Sequence, residues 1–344
     1  MRVALVTEHL SIGGGPEHLF QICKNMPQHQ FKVFAKSGGV NSSKFDNLQN
    51  VEINNDYTKR DIELFNTDIV HFHSMKPFLF LYNLEYLKIM TIHGFHIHKY
   101  EFQKGIFSKL KYLLRKYLES FLYHKVDKII TISDEDKQTL FNLYKLNSEV
   151  IYNGIDYVPM EQIPDKKNSI RSKFQIPMDK TICITVARFD FQKDYLSLVR
   201  SIKLLNGQSD SFIFYFVGDG DTKLEIENYV KSENIKNIVF LGARKDIYEL
   251  LKASDIFILP SRWEGLSIAA LEALGANMKL LLSDTYGNKT IARHSNNVEL
   301  FSLSNPKELA EKIENLNLNV YQEEHFFTID KMIISLDNFY KKVL

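Results

Sequence analysis

Residues 256–284 read IFILPSRWEGLSIAALEALGANMKLLLSD, and this stretch decides the predicted fold. An apolar run at 256–259 stops at Pro260, a helix rich in alanine and leucine follows, and a second apolar run begins at Met278. Short apolar strands that alternate with helices are typical of a parallel sheet covered by helices. The stretch also carries two carboxylates, Glu264 and Glu272, which a purely structural strand, turn and helix would not require. We therefore expect an α/β fold with a functional site after the strand at 256–259.

The same alternation runs through both halves of the chain. A length of 344 residues is long for one core and suits two domains. The predicted strands are 2–7, 31–36, 68–73, 88–93, 128–132 and 149–152 in the first half, and 182–187, 212–217, 237–241, 256–259, 278–283 and 298–301 in the second. A segment with three prolines separates the two sets and is typical of a linker. We expect domains at 1–163 and 168–327, followed by a helix with an apolar stripe at 328–344 that suits either domain.

Composition excludes several classes of protein. Lysine plus arginine (43) nearly equals aspartate plus glutamate (42), so the chain lacks the basic excess of a nucleic-acid-binding protein. Two cysteines, Cys23 and Cys183, are too few for a disulfide framework or a zinc cluster. No apolar run approaches the roughly 18 to 20 residues that cross a bilayer, and the first residues lead directly into a strand. These features predict a cytoplasmic protein.

Two cations stand where a diphosphate would bind. In VARFDFQKD, Arg188 ends a predicted strand and Lys193 begins a helical pattern five residues later. A guanidinium and an ammonium at the carboxyl edge of a sheet can share the negative charge of a diphosphate. Each cation by itself is also typical of a solvated surface. Their joint position favours a binding role.

The two glutamates are too far apart for hydrolysis of a glycoside. The sequence predicts that Glu264 and Gly265 lie at the mouth of a helix and that Glu272 lies two turns further, ~12 Å away at the rise of an α-helix. Paired carboxylates of glycosidases lie ~5 Å apart in retaining enzymes and ~6.5 to 9.5 Å apart in inverting ones. We therefore expect two contacts on one long ligand, such as a nucleotide sugar.

The first half offers a glycine stretch and a histidine. Gly13, Gly14 and Gly15 follow the first strand and precede a helix, so they allow a phosphate or sugar to approach the backbone, although a flexible turn has the same letters. His93 ends a strand in TIHGFHIH, where a substrate contact and a structural hydrogen bond are both open.

Two further sets of residues have the spacing of metal ligands. His96 and His98 could form a metal cluster with His93, but an exposed loop is the preferred interpretation. Asp219 and Asp221 in FVGDGD have D-x-D spacing, and a glycine turn at a strand end explains the same letters. We expect no metal site at either place.

Together these residues resemble the retaining glycosyltransferases of family 4. The resemblance covers nearly the whole chain and is strongest at 182–284, where the E-x7-E spacing of Glu264 and Glu272 is the most specific element. ARFDFQKD, FVGDGD, ITISDEDKQTL, VIYNGID, DIVHFHS and TIHG support it. The resemblance implies a GT-B fold: two Rossmann-like domains whose parallel sheets face each other across a cleft. It also implies that the helix at 328–344 joins the first domain, which binds the acceptor, while the second binds the nucleotide sugar.

The resemblance also implies roles for individual residues. Glu264 approaches the donor sugar, Glu272 the ribose, and Arg188 and Lys193 neutralise the departing diphosphate without a metal ion. The remaining donor-binding residues are Gly13, Gly14, Gly15 and His93 in the first domain, and Gly242, Ala243, Arg244, Leu266 and Ser267 in the second. The donor implied by the family is a UDP-sugar, with a GDP-sugar as second choice, and no cofactor is implied.

The chain departs from the family pattern after the helix that carries Glu272. Asn277 replaces the usual glycine and Lys279 the usual proline, and Lys289 with Thr290 stands where another glutamate is common. Asparagine is the next-best residue for a left-handed turn, so we expect this turn to be kept.

The segment 98–127 is basic and rich in aromatic residues. It contains seven lysines and arginines but only three acidic residues, and seven aromatic residues are interleaved with them. A basic amphipathic helix of this kind lies on an anionic membrane surface, or it packs its apolar stripe into the core and solvates its basic face. Both interpretations are open from sequence. The first would suit a lipid-linked acceptor in bacterial surface-glycan synthesis, at the inner face of the cytoplasmic membrane.

Two other functions share the same sequence features. A GT-B nucleotide-sugar epimerase would consume the donor without an acceptor. A catalytically silent partner subunit would bind nucleotide or support a second transferase. The identity of the donor sugar, the acceptor, the linkage and the oligomeric state are not encoded in any motif that we find.

Overall fold

The computed structural model describes residues 1–10, 13–36, 42–103, 105–157, 160, 162–163, 167–205 and 209–344. These residues form two compact units, Met1–Gly154 with Phe327–Leu344, and Ile155–Phe326. The division falls earlier than the predicted end of the first domain at 163. Residues after Gly154 pack in the second unit, where a Cβ built on Gly275 would lie 2.7 Å from the ring of Tyr157 and 3.0 Å from Sδ of Met160. Part of the predicted linker (158, 159, 161 and 164–166) and Lys104 of the basic segment lie outside the described residues.

The first unit is a parallel sheet of seven strands with helices on both faces. Its strands are β1 (Arg2–Val6), β2 (Gln30–Phe34), β3 (Val51–Asn54), β4 (Ile69–Phe72), β5 (Leu87–Ile92), β6 (Lys128–Thr131) and β7 (Glu149–Val150). They lie in the order β3-β2-β1-β4-β5-β6-β7, and every pair is parallel. Its helices up to residue 154 are α1 (Gly14–Asn25), α2 (Lys59–Phe65), α3 (Met75–Leu81), α4 (Ile106–Tyr123) and α5 (Asp134–Tyr144), with 3-10 turns at Ser42–Phe45 and His96–Glu101.

The second unit repeats this plan with six parallel strands. They are β8 (Thr181–Val186), β9 (Phe212–Val217), β10 (Ile238–Gly242), β11 (Ile256–Leu259), β12 (Lys279–Ser283) and β13 (Val298–Phe301), in the order β10-β9-β8-β11-β12-β13. Its described helices are α6 (Lys167–Lys173), α7 (Tyr195–Lys203), α8 (Lys223–Ser232), α9 (Ile247–Ala253), α10 (Ile268–Gly275), α11 (Tyr286–Arg293) and α12 (Pro306–Asn315), with a 3-10 turn at Ser209–Ser211. Among the described helices of both units, none is long and apolar enough to span a bilayer.

Alternation along the strands builds a core on each side of the first sheet. Val3 and Leu5 of β1 belong to one buried cluster, and Ala4 and Val6 belong to the other. Successive side chains of a strand point to opposite faces, so a strand that is apolar at every position is buried on both. This explains why the central strands read as continuous apolar runs.

The last helix, α13 (Ile329–Val343), completes the core of the first unit. Met332, Leu336 and Tyr340 are buried in the same cluster as Val3 and Leu5. The segment that leaves the first unit at Gly154 crosses the segment that re-enters it before α13. A Cβ built on Gly154 would lie 2.2 Å from the carbonyl oxygen of Thr328, so only glycine fits at this crossing. The helix is therefore an integral part of the first unit.

Strand order reverses once in each sheet, and these reversals position the candidate sites. In the first unit the chain runs outward from β1 to β3 and then returns to place β4 on the other side of β1. In the second unit β8 and β11 flank the equivalent point. In open α/β sheets, ligands bind outside the carboxyl ends of the strands at such a switch point.

Candidate active site

A buried carboxylate with two donors lies at the switch point of the second unit. Glu264 follows β11 and Lys193 follows β8, and the Lys193 ammonium donates to Oε1 of Glu264. Ser261 Oγ donates to the same oxygen at 2.5 Å. Glu264 is 6% exposed and Ser261 is fully buried. A carboxylate tolerates such burial when a cation and a hydroxyl satisfy it, so the three side chains form one fixed polar group.

Backbone contacts hold together the two loops that carry these residues. The Arg262 amide donates to the Gln192 carbonyl at 2.7 Å, and the Gln192 side-chain amide donates to the Trp263 carbonyl at 2.8 Å. Arg262 also pairs with Asp194 at 2.7 Å, and Asp194 has a left-handed φ of 37°. Positive φ is unfavourable for aspartate, so this ion pair keeps the residue in place at the start of α7.

The loop after β12 supports the same group from the other side. The Gly287 amide donates to the Glu264 carbonyl at 3.2 Å, and a Cβ built on Gly287 would lie 1.2 Å from the Gly265 carbonyl oxygen. Thr285 Oγ1 donates to the Arg262 carbonyl at 2.9 Å. Three strand-end segments thus meet by direct backbone contact, which fixes the position of Glu264.

The predicted helical spacing of the two glutamates is wrong. Helix α10 begins at Ile268, and its cap is Ser267, whose side chain accepts from the Ala270 amide. Glu264 therefore lies in the preceding loop, and the estimate from helical rise does not apply to it. Glu272 lies within α10 and is half-buried. Gly265 and the buried Leu266 lie between Glu264 and this cap.

Arg188 lies in the same loop as Lys193 and contacts Asp190 instead of Glu264. Its side chain is 67% exposed and its Nη2 lies 3.3 Å from a carboxylate oxygen of Asp190. The other Asp190 oxygen accepts from the Lys193 amide at 3.1 Å. Asp190 therefore fixes the backbone of the loop, while the Arg188 guanidinium is largely in solvent.

Three of the residues expected to bind the donor lie at the end of β10 and directly after it. Gly242 has a φ of 66°, Ala243 is exposed, and the Arg244 guanidinium makes a two-pronged contact with Asp246, at 2.8 Å through Nε and 2.5 Å through Nη2. The hydrogen bond from Arg244 holds the pKa of the Asp246 carboxyl below its usual range. This ion pair lies at the surface, where such pairs contribute little to stability.

The glycine turn in FVGDGD has a structural explanation. A Cβ on Gly218 would lie 1.9 Å from the Ala187 carbonyl oxygen, and a Cβ on Gly220 would lie 2.4 Å from the Phe189 carbonyl oxygen. Both glycines have positive φ. The two glycines let this turn approach the loop after β8, so the spacing of the aspartates follows from a tight turn. Neither aspartate belongs to a group of metal-ligating side chains among the described residues.

The switch point of the first unit carries histidines. His18 in α1 follows β1, His73 follows β4, and His93 follows β5, so three adjacent strands each contribute one ring. His73 Nδ1 and His93 Nε2 form a hydrogen bond of 3.0 Å, and the His18 ring centroid lies 4.9 Å from that of His93. One ring nitrogen from each lies within 4.8 Å of the others, which makes them the set of described side chains that could hold a metal ion.

Burial keeps these imidazoles neutral. Burial, with a smaller contribution from His96, lowers the pKa of His93 to about 4. Burial and then the neighbouring histidine rings hold the pKa values of His18 and His73 well below the usual range. Neutral rings at physiological pH donate and accept hydrogen bonds but supply no fixed positive charge.

The other predicted features of the first unit differ from expectation. Residues 96–101 form a 3-10 turn in which His98 is buried and bonds to Glu101 at 2.7 Å, so the expected exposed loop is wrong. Gly14 and Gly15 are the first residues of α1 rather than a loop, with Gly13 at the cap. A Cβ on Gly13 or Gly15 would meet nothing within 4 Å among the described residues.

Two family models match most of the chain. The model described as glycosyltransferase family 4 matches residues 12–157, and the model described as glycosyl transferases group 1 matches residues 166–326. Each model thus covers most of one of the two units.

A curated relative and two solved structures are also similar to the chain. The chain is 30% identical over 239 residues to UDP-Gal:alpha-D-GlcNAc-diphosphoundecaprenol alpha-1,3-galactosyltransferase of Escherichia coli, across 66% of this chain and 60% of that relative. HepE from Anabaena, solved with UDP and glucose, aligns with a TM-score of 0.83 at 15% identity over 99% of this chain and 100% of that chain. WaaG, a glycosyltransferase involved in lipopolysaccharide biosynthesis, aligns with a TM-score of 0.71 at 15% identity over 97% and 95%.

The extent of these matches defines what they show. The chain spans only 60%, 45% and 40% of the length of three curated glycosyltransferases to which it is similar. The solved structures, at such low identity, establish the GT-B fold alone. With both units matched by models of the same enzyme group, the chain belongs to the family 4 glycosyltransferases.

Proposed function

We propose that the protein is a retaining glycosyltransferase that moves a sugar from a nucleoside diphosphate sugar to a glycan or lipid-linked acceptor. The observation that carries this proposal is the buried group of Lys193, Glu264 and Ser261 at the switch point of the second unit. A fixed ammonium and a fixed carboxylate beside the carboxyl ends of the strands suit a ligand with a charged diphosphate and a polar sugar. The family assignment supports the same chemistry.

In this proposal the second unit stabilises the leaving group. Negative charge accumulates on the diphosphate as the bond to the sugar breaks, and preorganised cations lower the energy of that state. Lys193 is held in place by Glu264, and the largely exposed Arg188 guanidinium contacts the phosphates as a second cation. The backbone amides of Leu266 and Ser267 add donors at the start of α10. No metal ion is required for this role.

The remaining residues recognise the two sugars of the donor. Glu264 binds the transferred sugar, Glu272 binds the ribose hydroxyls, and residues Gly242, Ala243 and Arg244 border the base. In the first unit, the neutral ring of His93 offers a hydrogen bond to a sugar hydroxyl. Gly13 and Gly15 leave space for a sugar or phosphate beside the first turn of α1, where Gly14 completes the glycine stretch.

Similar proteins favour a UDP-sugar and a lipid-linked acceptor. The Escherichia coli relative uses UDP-galactose and a diphosphoundecaprenol-linked sugar, and the Anabaena structure holds UDP and glucose. An O-antigen biosynthesis glycosyltransferase is among the other relatives. We therefore propose bacterial surface polysaccharide synthesis at the cytoplasmic face of the membrane, with a UDP-sugar ahead of a GDP-sugar.

A thermal-shift screen followed by product analysis tests this function. We expect one UDP-sugar to raise the melting temperature of the full chain, because a ligand at 100 times its dissociation constant adds ~2.7 kcal/mol to the folded state. Incubation with that donor and a lipid-linked saccharide should yield a new glycoside with the anomeric configuration of the donor retained.

Other outcomes would reject the proposal in defined ways. Conversion of the donor without an acceptor would indicate an epimerase. Binding with no turnover, and Glu264→Gln leaving glycan production by cells unchanged, would indicate a silent partner subunit. Failure of every nucleotide sugar to bind would reject a donor site altogether.

A further inference from the structure

Three imidazole rings at the strand ends of the first unit lie close enough to share one metal ion. Nδ1 of His73 is 3.0 Å from Nε2 of His93, and one ring nitrogen from each of His18, His73 and His93 lies within 4.8 Å of the others. We call these three residues the histidine cluster. Nitrogens bound at ~2.0–2.1 Å to one tetrahedral Zn²⁺ ion lie about 3.3 Å apart, so the nitrogens of the cluster need to approach one another by at most about 1.5 Å.

Two nitrogens of the histidine cluster have no hydrogen-bond partner among the described residues. They are Nδ1 of His18 and Nε2 of His73, and the two residues are only 6% and 8% exposed. Buried polar atoms in proteins almost always have a partner, because an unsatisfied one loses its hydration without compensation. The cluster therefore has the capacity to bind a group that the described residues do not supply.

A fourth histidine beside the cluster shows how this core satisfies an imidazole that only supports the fold. His71 is fully buried, and its ring centroid lies 4.2 Å from that of His73. Its Nδ1 bonds to the Tyr340 hydroxyl at 2.6 Å, and its Nε2 bonds to Thr91 Oγ1 at 2.7 Å. Protein groups thus occupy both nitrogens of His71, whereas two nitrogens of the cluster meet no described partner.

Neighbouring groups hold the histidine cluster in place. The His73 amide donates to the Val6 carbonyl at 2.8 Å, which ties the end of β4 to β1. The side chain of Asn153, a 3% exposed residue, forms a hydrogen bond with His18. Histidines that bind metals are usually oriented in this way by a second hydrogen-bonding partner. The fold therefore fixes the backbone at one ring of the cluster and the orientation of another.

The ligand atoms of the cluster select the class of ion. All three are imidazole nitrogens, and the set contains no carboxylate. Mg²⁺ and Ca²⁺ prefer oxygen ligands, whereas neutral imidazole suits Zn²⁺ and other divalent transition metals. Burial keeps these rings neutral, which is the form that binds a metal ion. Because tetrahedral Zn²⁺ has four ligands, three histidines leave one position for water.

We propose that the histidine cluster binds one Zn²⁺ ion, with a water molecule as the fourth ligand. Strand order brings the three rings together, since His18 follows β1, His73 follows β4 and His93 follows β5. The site therefore differs from the set of His93, His96 and His98 that local spacing suggests.

The consequence for sugar transfer rests on the proposed function. There the ring of His93 contacts a hydroxyl of the donor sugar, so an ion bound to His93 competes with that contact. Zn²⁺ thus inhibits transfer and is not a cofactor of the reaction. Lys193 and Arg188 of the second unit are unaffected, so the nucleotide portion of the donor still binds.

Calorimetric titration of the full chain, prepared without a histidine tag, with zinc chloride tests the proposal. We expect one equivalent of Zn²⁺ to bind with a dissociation constant in the micromolar range or below, and Mg²⁺ not to bind. His73→Gln and His93→Gln should each weaken Zn²⁺ binding by about a hundredfold or more, beyond the roughly 10–100-fold effect of losing an outer partner of a metal ligand. His124→Gln, which changes an exposed histidine outside the cluster, should leave the affinity unchanged.

Co²⁺ reports the ligand geometry in the wild-type chain, so this part of the test needs no substitution. Bound Co²⁺ should give the intense visible absorption of a tetrahedral nitrogen site, and one equivalent of Zn²⁺ should abolish it. The melting temperature of each variant without metal shows whether it is folded. His93→Gln is the milder of the two changes, because His93 is partly exposed and His73 is buried.

Three results would overturn the proposed site: no stoichiometric binding of Zn²⁺, an affinity that both His73→Gln and His93→Gln leave unchanged, or the weak Co²⁺ spectrum of octahedral coordination. Transfer by the wild type, measured with and without one equivalent of Zn²⁺, tests the inhibition, and full activity of the zinc-loaded chain would reject it. The shift in melting temperature with nucleotide sugars reports the donor site independently. A chain that binds Zn²⁺ but no nucleotide sugar would support the metal site and reject the proposed function.

Discussion

The two units place their candidate sites at the same topological position and build them from opposite electrostatics. In the second unit, Lys193 and Glu264 bring two full charges into a site that excludes most solvent. In the first unit, His18, His73 and His93 meet at the equivalent strand ends as neutral rings. Topology therefore fixes where a ligand can bind, and the side chains of the loops decide which ligand chemistry is accepted.

The two sites also avoid the cost of burying an unpaired charge in different ways. A buried carboxylate is stabilised when a cation and a hydroxyl contact it, as at Glu264. A buried imidazole instead loses its proton, which removes the charge altogether. The first solution depends on a partner side chain and the second depends on pH, so the two sites should respond to different perturbations.

The largest expected effect follows from removal of the partner cation in the second unit. Lys193→Met leaves the Glu264 carboxylate buried beside an apolar side chain, which should lower the free energy of unfolding by about 3–5 kcal/mol. Transfer activity should fall by about 10²–10³-fold because the leaving diphosphate loses a fixed cation. Urea unfolding and kcat at saturating donor measure the two effects.

A double variant is the control for this prediction. Lys193→Met with Glu264→Gln removes both charges and should recover much of the lost stability without recovering activity. If the single and double variants are equally stable, the ammonium and the carboxylate are not coupled in the way that the structure shows.

Acidification should lower the free energy of unfolding through the buried histidines of the first unit. The unfolded chain protonates its histidines near pH 6.5. In the folded chain, burial lowers the pKa of His93 to about 4 and that of His71, a fully buried residue of β4, to about 3. The unfolded state therefore binds more protons in this range, and the free energy of unfolding should fall as pH decreases from about 6.5 to 4. The contribution of His93 is on the order of 1–3 kcal/mol.

The difference between wild type and His93→Asn isolates this contribution from the carboxylates. We expect the variant to lose less stability between pH 7 and pH 4.5 in urea unfolding. Identical pH dependence in the two proteins would show that His93 is not held neutral by the folded structure.

The smallest structural effect is expected at Arg188. Its guanidinium is largely exposed, so Arg188→Gln should change the free energy of unfolding by less than about 0.5 kcal/mol. Affinity for UDP should still fall by about tenfold, since a charged hydrogen bond contributes about 1.5–3 kcal/mol before desolvation of the guanidinium is subtracted. Calorimetric titration with UDP measures this, and Arg200→Gln on the exposed side of α7 is the control. Equal affinities of the two variants would remove Arg188 from the donor site.

The strands were largely predictable because burial on both faces gives them continuous apolar runs. Each of the twelve predicted strands corresponds to an observed strand within about two residues. The missed strand, β3, has only partly buried or exposed side chains at the edge of the sheet, so its sequence lacks such a run. Asn277, with a φ of 56°, confirms the left-handed turn expected where the family has glycine.

Local motifs predicted the second site better than the first. Lys193 and Glu264 occur in short motifs whose residue types indicate a binding site. Ser261 lies three residues before Glu264 and donates to it, but its role was not predicted. His18 and His73 were not expected to join His93, because only strand order brings residues 20 to 75 positions apart together. DIVHFHS before His93 was the available sign, since its last histidine follows a strand that neighbours β5.

The sequence does not determine which side of α4 packs against the rest of the first unit. Periodicity shows that a helix has an apolar stripe, but it does not show which side the rest of the fold covers. Here Glu119 and Arg115 occupy the covered side. That choice depends on Tyr144, which lies 25 residues further along the chain.

The contribution of α13 to the first core has a consequence for biosynthesis. Residues 327–344 follow the whole of the second unit, so about 170 residues are translated between Gly154 and the helix that covers Val3 and Leu5. At about 5–20 residues per second, the ribosome needs roughly 10–30 s for that interval. The unit that emerges first is therefore the last to close, and during translation its uncovered apolar strands are the part of the nascent chain that a chaperone would need to shield.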